Sequence, residues 1–123
     1  MRRRGLEDMT VADLVARFAE ICLAQDDALL GGEIAKFNRL FGEMGGVATE
    51  LKRRDGDQRR ALMALYDHPN MQVRLKAAKH TLAVAPVEAR QQLEAIASSR
   101  WYPQAGEAGM CLWNLDRGVF KPN

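Results

Sequence analysis

The first part of the chain shows the apolar spacing of an amphipathic helix. Apolar residues recur in steps of three and four at Val11, Leu14, Val15, Phe18 and Cys22. This spacing predicts a helix from Val11 to Gln25 with one apolar face. Thr10 and Asp13 stand at the positions of a capping box, although Asp replaces the preferred Glu or Gln.

A second helical pattern follows and is longer. Its apolar positions are Leu30, Ile34, Phe37, Phe41, Met44, Ala48 and Leu51. We expect a helix that begins at Leu29 or Glu33 and ends at Arg53. Gly42, Gly45 and Gly46 interrupt it, so either the helix bends near Gly45 or the glycines admit a neighbouring helix.

Shorter helices are predicted after the turn at Asp55–Asp57. Leu62, Leu65 and Tyr66 mark a short helix that ends at His68–Pro69. The starts and ends of the next helices are marked by an N-cap, two first-turn prolines and a C-terminal glycine: Asn70, Pro86, Pro103 and Gly118. No segment alternates with a period of two, so we predict no strand.

These short helices repeat weakly with a period of 31 residues. Leu62 matches Leu93, Leu65 matches Ile96, and Ala77 matches Ala108. A period in this range is typical of stacked helical hairpins.

The stretch from Asp67 to Ala78 resembles a HEAT repeat, in which a short turn precedes Val73-Arg74 and the alanine pair Ala77-Ala78. The resemblance implies an all-α superhelix of about six helices in HEAT-like hairpins. In the second repeat, Gln104-Ala105-Gly106 replaces the stretch with the arginine, which interrupts a continuous polar ladder.

The whole layout is also similar to a small bacterial family of unknown function, the domain of unknown function number two-thousand-nineteen. The similarity lies in Asn38, the stretch from His68 to Ala78, and the ending Leu115-Asp116-Arg117-Gly118. This resemblance implies a helical superhelix and no particular function.

Length and composition indicate one globular domain. The chain has 123 residues, of which 47% are hydrophobic and 28% charged, so we expect residues 9–123 to form a single helical-repeat domain. The first eight residues, with Met9 as an alternative start, are predicted to be a flexible extension. No apolar run is long enough for a membrane helix and no secretory signal is recognisable, so a cytoplasmic protein is expected.

Net charge gives little support for nucleic-acid binding, because it is only +2 and evenly distributed. Cys22 and Cys111 lie within helical patterns and are expected to be buried free thiols. We expect no metal site and no cofactor, since no Cys, His and carboxylate cluster or phosphate-binding loop is present. No catalytic residue is assigned.

Three polar residues are predicted to have structural roles. Arg74 is expected to pair with the carboxylate of Asp67 or to cap a turn, as the arginine of HEAT-like repeats does. Asn38 lies beside Phe37 and the apolar stripe, so a buried amide that bridges to a neighbouring helix end is expected there. A binding role for each remains the alternative.

Five basic residues surround the Asp55–Asp57 turn: Lys52, Arg53, Arg54, Arg59 and Arg60. A solvated turn is the favoured interpretation, since a nucleic-acid site would need a broader basic face with aromatic residues. Convergence of Arg53, Arg54, Arg59, Arg60 and Lys76 with Trp101 or Trp113 would favour DNA binding instead.

The aromatic residues near the C-terminus form the candidate interaction surface. Trp101, Tyr102, Met110 and Trp113 lie on or before the last helix, outside its main apolar stripe. They either cap the open end of the repeat array or form an interface. We therefore expect a non-enzymatic module that binds a protein or peptide, as an adaptor or an immunity-type protein, with a HEAT-like DNA-binding or repair-type protein as the alternative.

Overall fold

The computed structural model describes residues 5–123, and every regular element in that range is helical. The five α-helices are α1 (Val11–Leu30), α2 (Ile34–Arg53), α3 (Met71–Thr81), α4 (Pro86–Ser98) and α5 (Gln104–Asp116), with 3-10 helices at Leu6–Asp8 and Gln58–Leu65. The predicted all-α class is confirmed. The chain divides into two compact units, Met1–Ala61 and Leu62–Asn123, which are described separately.

The first unit is an antiparallel hairpin of α1 and α2. The predicted capping box at its start is confirmed: the Thr10 side chain accepts a hydrogen bond from the Asp13 amide at 3.0 Å, and Asp13 accepts one from the Thr10 amide at 3.4 Å. α1 continues to Leu30, five residues beyond the predicted end. Its buried face holds Leu14, Phe18, Ile21, Cys22, Gln25 and Ala28.

The buried face of α2 differs from the predicted stripe in its first half. Met44, Ala48 and Leu51 are buried as expected, but Leu40 and Val47 complete that face. Leu30, Ile34 and Phe41 are instead 81%, 73% and 53% exposed. The predicted spacing ran through the turn at Gly31–Gly32, so it joined residues of two different helices into one stripe.

The glycines of α2 neither interrupt the helix nor admit a neighbour. α2 is continuous from Ile34 to Arg53. A Cβ atom added at Gly42 or Gly45 would meet nothing within 4 Å, and one at Gly46 would lie 3.8 Å from Leu6 Cδ1, an ordinary contact. The expected close approach of a second helix is therefore wrong, and the glycines lower the helical propensity of α2 without a packing benefit.

Replacing Gly42, which is exposed, by alanine should stabilise the first unit. The Gly42→Ala variant gains helical propensity and meets no steric barrier, so its free energy of unfolding should rise by about 0.5–1 kcal/mol. Urea denaturation followed by circular dichroism measures this change. Gly32, whose φ is +67° in the turn, is the matched control: Gly32→Ala should lower stability. A decrease for Gly42→Ala would contradict the assignment.

The second unit is built on α4, which packs against both α3 and α5. One apolar cluster joins the three helices through Leu75, Ala78, Leu82, Ala89, Leu93, Ile96, Ala108 and Cys111. Ala77 and Ala108, which the 31-residue period relates, are both fully buried. Small side chains at these positions allow the close packing that the sequence pattern indicated.

The predicted helix starts of the second unit are confirmed. Asn70 caps α3 by accepting hydrogen bonds from the amides of Gln72 and Val73 at 2.9 and 3.2 Å. Pro86 occupies the first turn of α4, and α5 begins directly after Pro103. Gly118 has φ +71° just beyond the end of α5, as a C-terminal glycine should.

The described segments before α1 and directly after α2 form turns and short 3-10 helices. The predicted extension, residues 1–8, falls partly outside the described residues, which begin at Gly5; Leu6–Asp8 form a 3-10 turn. The Asp55–Asp57 turn is confirmed, with positive φ at Gly56 and Asp57. The short helix expected around Leu62 is a 3-10 helix that begins at Gln58.

Candidate interaction surface

The loop between α4 and α5 turns the chain and presents two aromatic residues. Arg100 has φ +62°, a left-handed conformation that reverses the chain after α4. Ser99 Oγ donates to the Ile96 carbonyl at 2.6 Å and accepts from the Trp101 amide at 3.1 Å. These bonds hold the backbone of Trp101, whose carbonyl in turn accepts from the Ala105 amide at 2.8 Å in the first turn of α5.

The outer face of α5 is apolar and uncovered. Gly106, Met110, Trp113 and Arg117 follow one another in steps of four, three and four, which places them on one side of the helix. The Tyr102 ring lies over Gly106, since a Cβ atom there would be 3.7 Å from Tyr102 Cδ1. We call Trp101, Tyr102, Met110, Trp113 and Arg117 the α5 face.

The four apolar side chains of the α5 face are exposed. Their exposed fractions are 63% for Trp101, 70% for Tyr102, 53% for Met110 and 55% for Trp113. The guanidinium of Arg117 stands 5.0 Å from the centroid of the Trp113 ring, a cation–π arrangement that orients the indole. Each of these side chains is only partly covered, and both the capping role and the interface role remain predictions.

An ion cluster lies at the contact of α3 and α5. Lys76 Nζ is 2.6 Å and Lys79 Nζ is 3.1 Å from Glu107 Oε2. The Lys76 side chain is only 5% exposed. Burial alone would raise the pKa of Glu107, but the charges and hydrogen bonds of the two lysines outweigh it, and the pKa is lowered. Glu107 is therefore ionised and holds two cations.

Beside the ion cluster runs a groove that reaches the α5 face. It has a volume of about 290 Å³ and is lined by Lys79, Glu107, Met110, Cys111, Asn114 and Phe120. Phe120 is placed by the chain end, where the amides of Val119 and Phe120 both donate to the Asn114 carbonyl. Met110 belongs to both the groove and the α5 face, so the two form one continuous surface.

Both cysteines are buried free thiols, as predicted. Burial raises the pKa of Cys111, and the nearby Lys79 only partly opposes this. Nucleophilic cysteines need the opposite shift, because the thiolate is the reactive form. The groove therefore contains no activated nucleophile at Cys111.

The structure does not gather the five residues of the basic turn into one cationic surface. Arg54 donates to Glu50 Oε2 at 2.7 Å and to the carbonyls of Leu6 and Met9 at 3.1 and 2.8 Å. Arg59 makes a bidentate pair with Asp57 at 2.7 and 2.9 Å, which lowers the pKa of Asp57. Lys52, Arg53 and Arg60 are exposed. Lys76 is bound to Glu107 and Arg53 lies 3.7 Å from Glu50 Oε1, so four of the five cations considered for DNA are paired within the protein.

The structural roles predicted for Arg74, Asp67 and Asn38 are found only in part. The side chain of Arg74 donates to the His68 carbonyl, which is the turn-capping alternative rather than the favoured pair with Asp67. Asp67 is exposed. Asn38 is also exposed on α2, so the expected buried amide is absent. A backbone carbonyl can replace a carboxylate as the partner of an arginine, and sequence spacing does not distinguish the two.

Sequence reasoning missed the polar contacts between α3 and α5. Gln104 Nε2 donates to Gln72 Oε1 at 3.0 Å, and both side chains are buried. Lys76 and Glu107 are 31 positions apart, the same period that relates Ala77 to Ala108. Searching that period for complementary polar residues, as well as for matching apolar ones, would have found the pair.

The described residues, 5–123, contain neither a metal-binding cluster nor a helix that could cross a membrane. Within that range, no group of three or more His, Cys, Asp or Glu side chains could hold a metal ion. None of the described helices combines the length and apolar character that crossing a bilayer requires.

The family model for Domain of unknown function (DUF2019) matches residues 12–116. The chain belongs to this family, and the similarity proposed from Asn38, the His68–Ala78 stretch and the C-terminal motif is confirmed. The likeness to HEAT repeats stays a prediction.

A solved structure is similar over nearly the whole chain. The crystal structure of the protein RPA1889 from Rhodopseudomonas palustris CGA009 has 65% sequence identity and a TM-score of 0.95, and the match covers 98% of this chain and 100% of that one. A search of curated proteins finds no match.

Neutralising Glu107 should destabilise the second unit at neutral pH. Glu107→Gln removes the carboxylate that lies 2.6 Å from Nζ of the nearly buried Lys76, and we expect a loss of about 1–2 kcal/mol, since partial exposure of Glu107 screens the pair. The pKa of Glu107 is lowered in the folded state, so its contribution is present above the pKa of the unfolded chain and disappears as pH falls through the folded value. Urea denaturation at pH 7 and at about pH 3 measures this dependence.

The matched control for this experiment is Glu94→Gln. Glu94 pairs with Arg90 at 3.4 Å on the exposed side of α4, so its loss should cost less than about 0.5 kcal/mol. Equal effects of the two variants, or an effect of Glu107→Gln that persists unchanged at low pH, would contradict the role assigned to Glu107.

Proposed function

We propose that this protein is a non-enzymatic interaction module that binds a protein or peptide through the α5 face. The observation that supports this most is the exposure of Trp101, Tyr102, Met110 and Trp113 on and beside one helix. Tryptophan and tyrosine are enriched among residues that dominate binding energy, and methionine adapts to varied partners. Several large apolar side chains grouped on one surface are typical of contact sites, whereas single ones are common everywhere.

The anchoring of α5 supports the same function. Its inner side is tied to α3 by the ion cluster and by the Gln72–Gln104 hydrogen bond. A surface that is already ordered loses less conformational entropy when a partner binds, and more of the contact energy is retained as affinity. The groove beside Met110 adds a concave part that an apolar side chain of the partner would enter, with Lys79 and Glu107 offering polar contacts at its edge.

The decisive experiment compares capture of a partner by wild-type protein and by a variant of the α5 face. Tagged protein is incubated with host lysate, and a captured protein is then purified and its affinity measured by calorimetry. Trp113→Ala should weaken binding at least tenfold, equivalent to about 1.4 kcal/mol or more, because the indole is a central anchor of the face. Its folding should be unaffected, since more than half of the side chain is exposed.

Val87→Ala is the matched control, because Val87 is equally exposed but lies in the first turn of α4. It should bind the partner with wild-type affinity. Retained binding by Trp113→Ala, or equal loss in both variants, would contradict the assignment of the α5 face. Catalytic turnover of a small molecule by the purified protein would contradict the non-enzymatic function.

A further inference from the structure

The turn between α1 and α2 is a second apolar surface, and it is acidic. Leu30 and Ile34 are the most exposed large apolar residues of the first unit, and Leu29 is also exposed. Residues 26–34 contain three carboxylates, those of Asp26, Asp27 and Glu33, and no basic residue. We call this segment the acidic turn.

One carboxylate of the acidic turn does not stabilise the helix that carries it. Asp27 lies in the last turn of α1, and that turn contains no basic residue. The negative end of the helix dipole disfavours a carboxylate there. Glu33 differs, since it stands at the start of α2, where the positive end of the dipole favours it. The position of Asp27 is better explained by a contact outside the unit than by local stability.

The acidic turn also contains a notch of the size of one side chain. The notch measures about 100 Å³ and is lined by Ala28, Leu29, Gly32, Glu33, Ile34 and Phe37. Pockets for small molecules are larger, at about 300–1,000 Å³. A notch this small, lined mainly by apolar groups, suits a single apolar side chain of a protein.

The α5 face has the complementary character. It is apolar and aromatic, and it is bordered by Arg117 over the Trp113 ring and by Arg100, which precedes Trp101 and is exposed. The α5 face thus combines exposed apolar side chains with positive charge, and the acidic turn combines them with negative charge.

We propose that the acidic turn of one molecule binds the α5 face of a second copy of this chain. This inference rests on the proposed function, because it names the partner of the same α5 face. Ile34 and Leu30 contact Met110 and Trp113, while Asp27 and Glu33 lie near Arg117 and Arg100. The two surfaces use different residues, so each contact leaves one free α5 face and one free acidic turn. The association is head-to-tail and produces short chains or a closed ring.

The test measures mass as a function of concentration for the full chain, by sedimentation equilibrium from about 10 to about 500 µM, the range in which weak, transient interfaces associate. The weight-average mass of the wild type should rise above 13.8 kDa with concentration. It should rise less in high salt, because the charges are screened. Ile34→Glu and Trp113→Glu should each remain monomeric, whereas the control Val87→Glu on α4 should associate like the wild type.

Mixing the two monomeric variants tests the head-to-tail geometry. Ile34→Glu keeps an intact α5 face, and Trp113→Glu keeps an intact acidic turn, so an equimolar mixture should form one-to-one dimers and nothing larger. Dimers in the mixture also show that both variants fold, and circular dichroism of each variant alone checks this independently.

A wild type that stays monomeric at the highest concentration would overturn the inference. Association that survives Ile34→Glu but not Trp113→Glu would also overturn it, because that result would indicate contact between two α5 faces. A mixture of the two folded variants that stays monomeric would overturn it as well. If the chain is monomeric but a foreign protein is captured and lost on Trp113→Ala, only this inference fails. If the chain is monomeric and no foreign protein is captured, both this inference and the proposed function fail.

Discussion

The apolar cluster shared by α3, α4 and α5 holds the second unit together. A polar group inside such packing needs a partner, because the loss of hydration would otherwise outweigh the gain from packing. Lys76, whose side chain is only 5% exposed, has Glu107 Oε2 at 2.6 Å, and this ion pair joins α5 to α3 beside the cluster. The apolar side of α5, with Ala105, Ala108 and Cys111, then lies in the core. Met110 and Trp113 lie on the opposite side of the same helix from these buried residues, so they face outward.

The first unit follows a simpler rule. Its hairpin is joined by apolar burial, with Met44 Sδ accepting from Gln25 Nε2 at 3.5 Å inside the interface. The apolar residues near the turn exceed what two helices alone can cover, and Leu30 and Ile34 are left in solvent. In both units, therefore, the internal packing is complete without the residues that the proposed contacts use. A small shift of the helices would not bury these exposed side chains.

The starts of α1, α3, α4 and α5 were predictable because local signals determine them, whereas α1 ends five residues beyond the predicted Gln25. Thr10, Asn70, Pro86 and Pro103 act within one turn of their own position, and the structure confirms each. The buried side of α2 was predicted only in its second half, because a periodic spacing says nothing about a turn that interrupts it at Gly31–Gly32. The partner of Arg74 and the Lys76–Glu107 pair depend on which helices meet, and that information appears only when the chain is folded. The sequence indicated that the aromatic residues lie outside the main apolar stripe of α5. It could not distinguish residues exposed to a partner from residues that cap the helical array.

The two sides of α5 are subject to different constraints. A change on the inner side alters the core or leaves a charge without a partner, so it affects folding before it affects anything else. A change at Met110 or Trp113 removes no internal bond described for the second unit apart from the contact with Arg117. Mutations on this side can therefore accumulate with little effect on the folded population. The proposed contact surface can therefore change over evolutionary time while the scaffold that presents it stays the same.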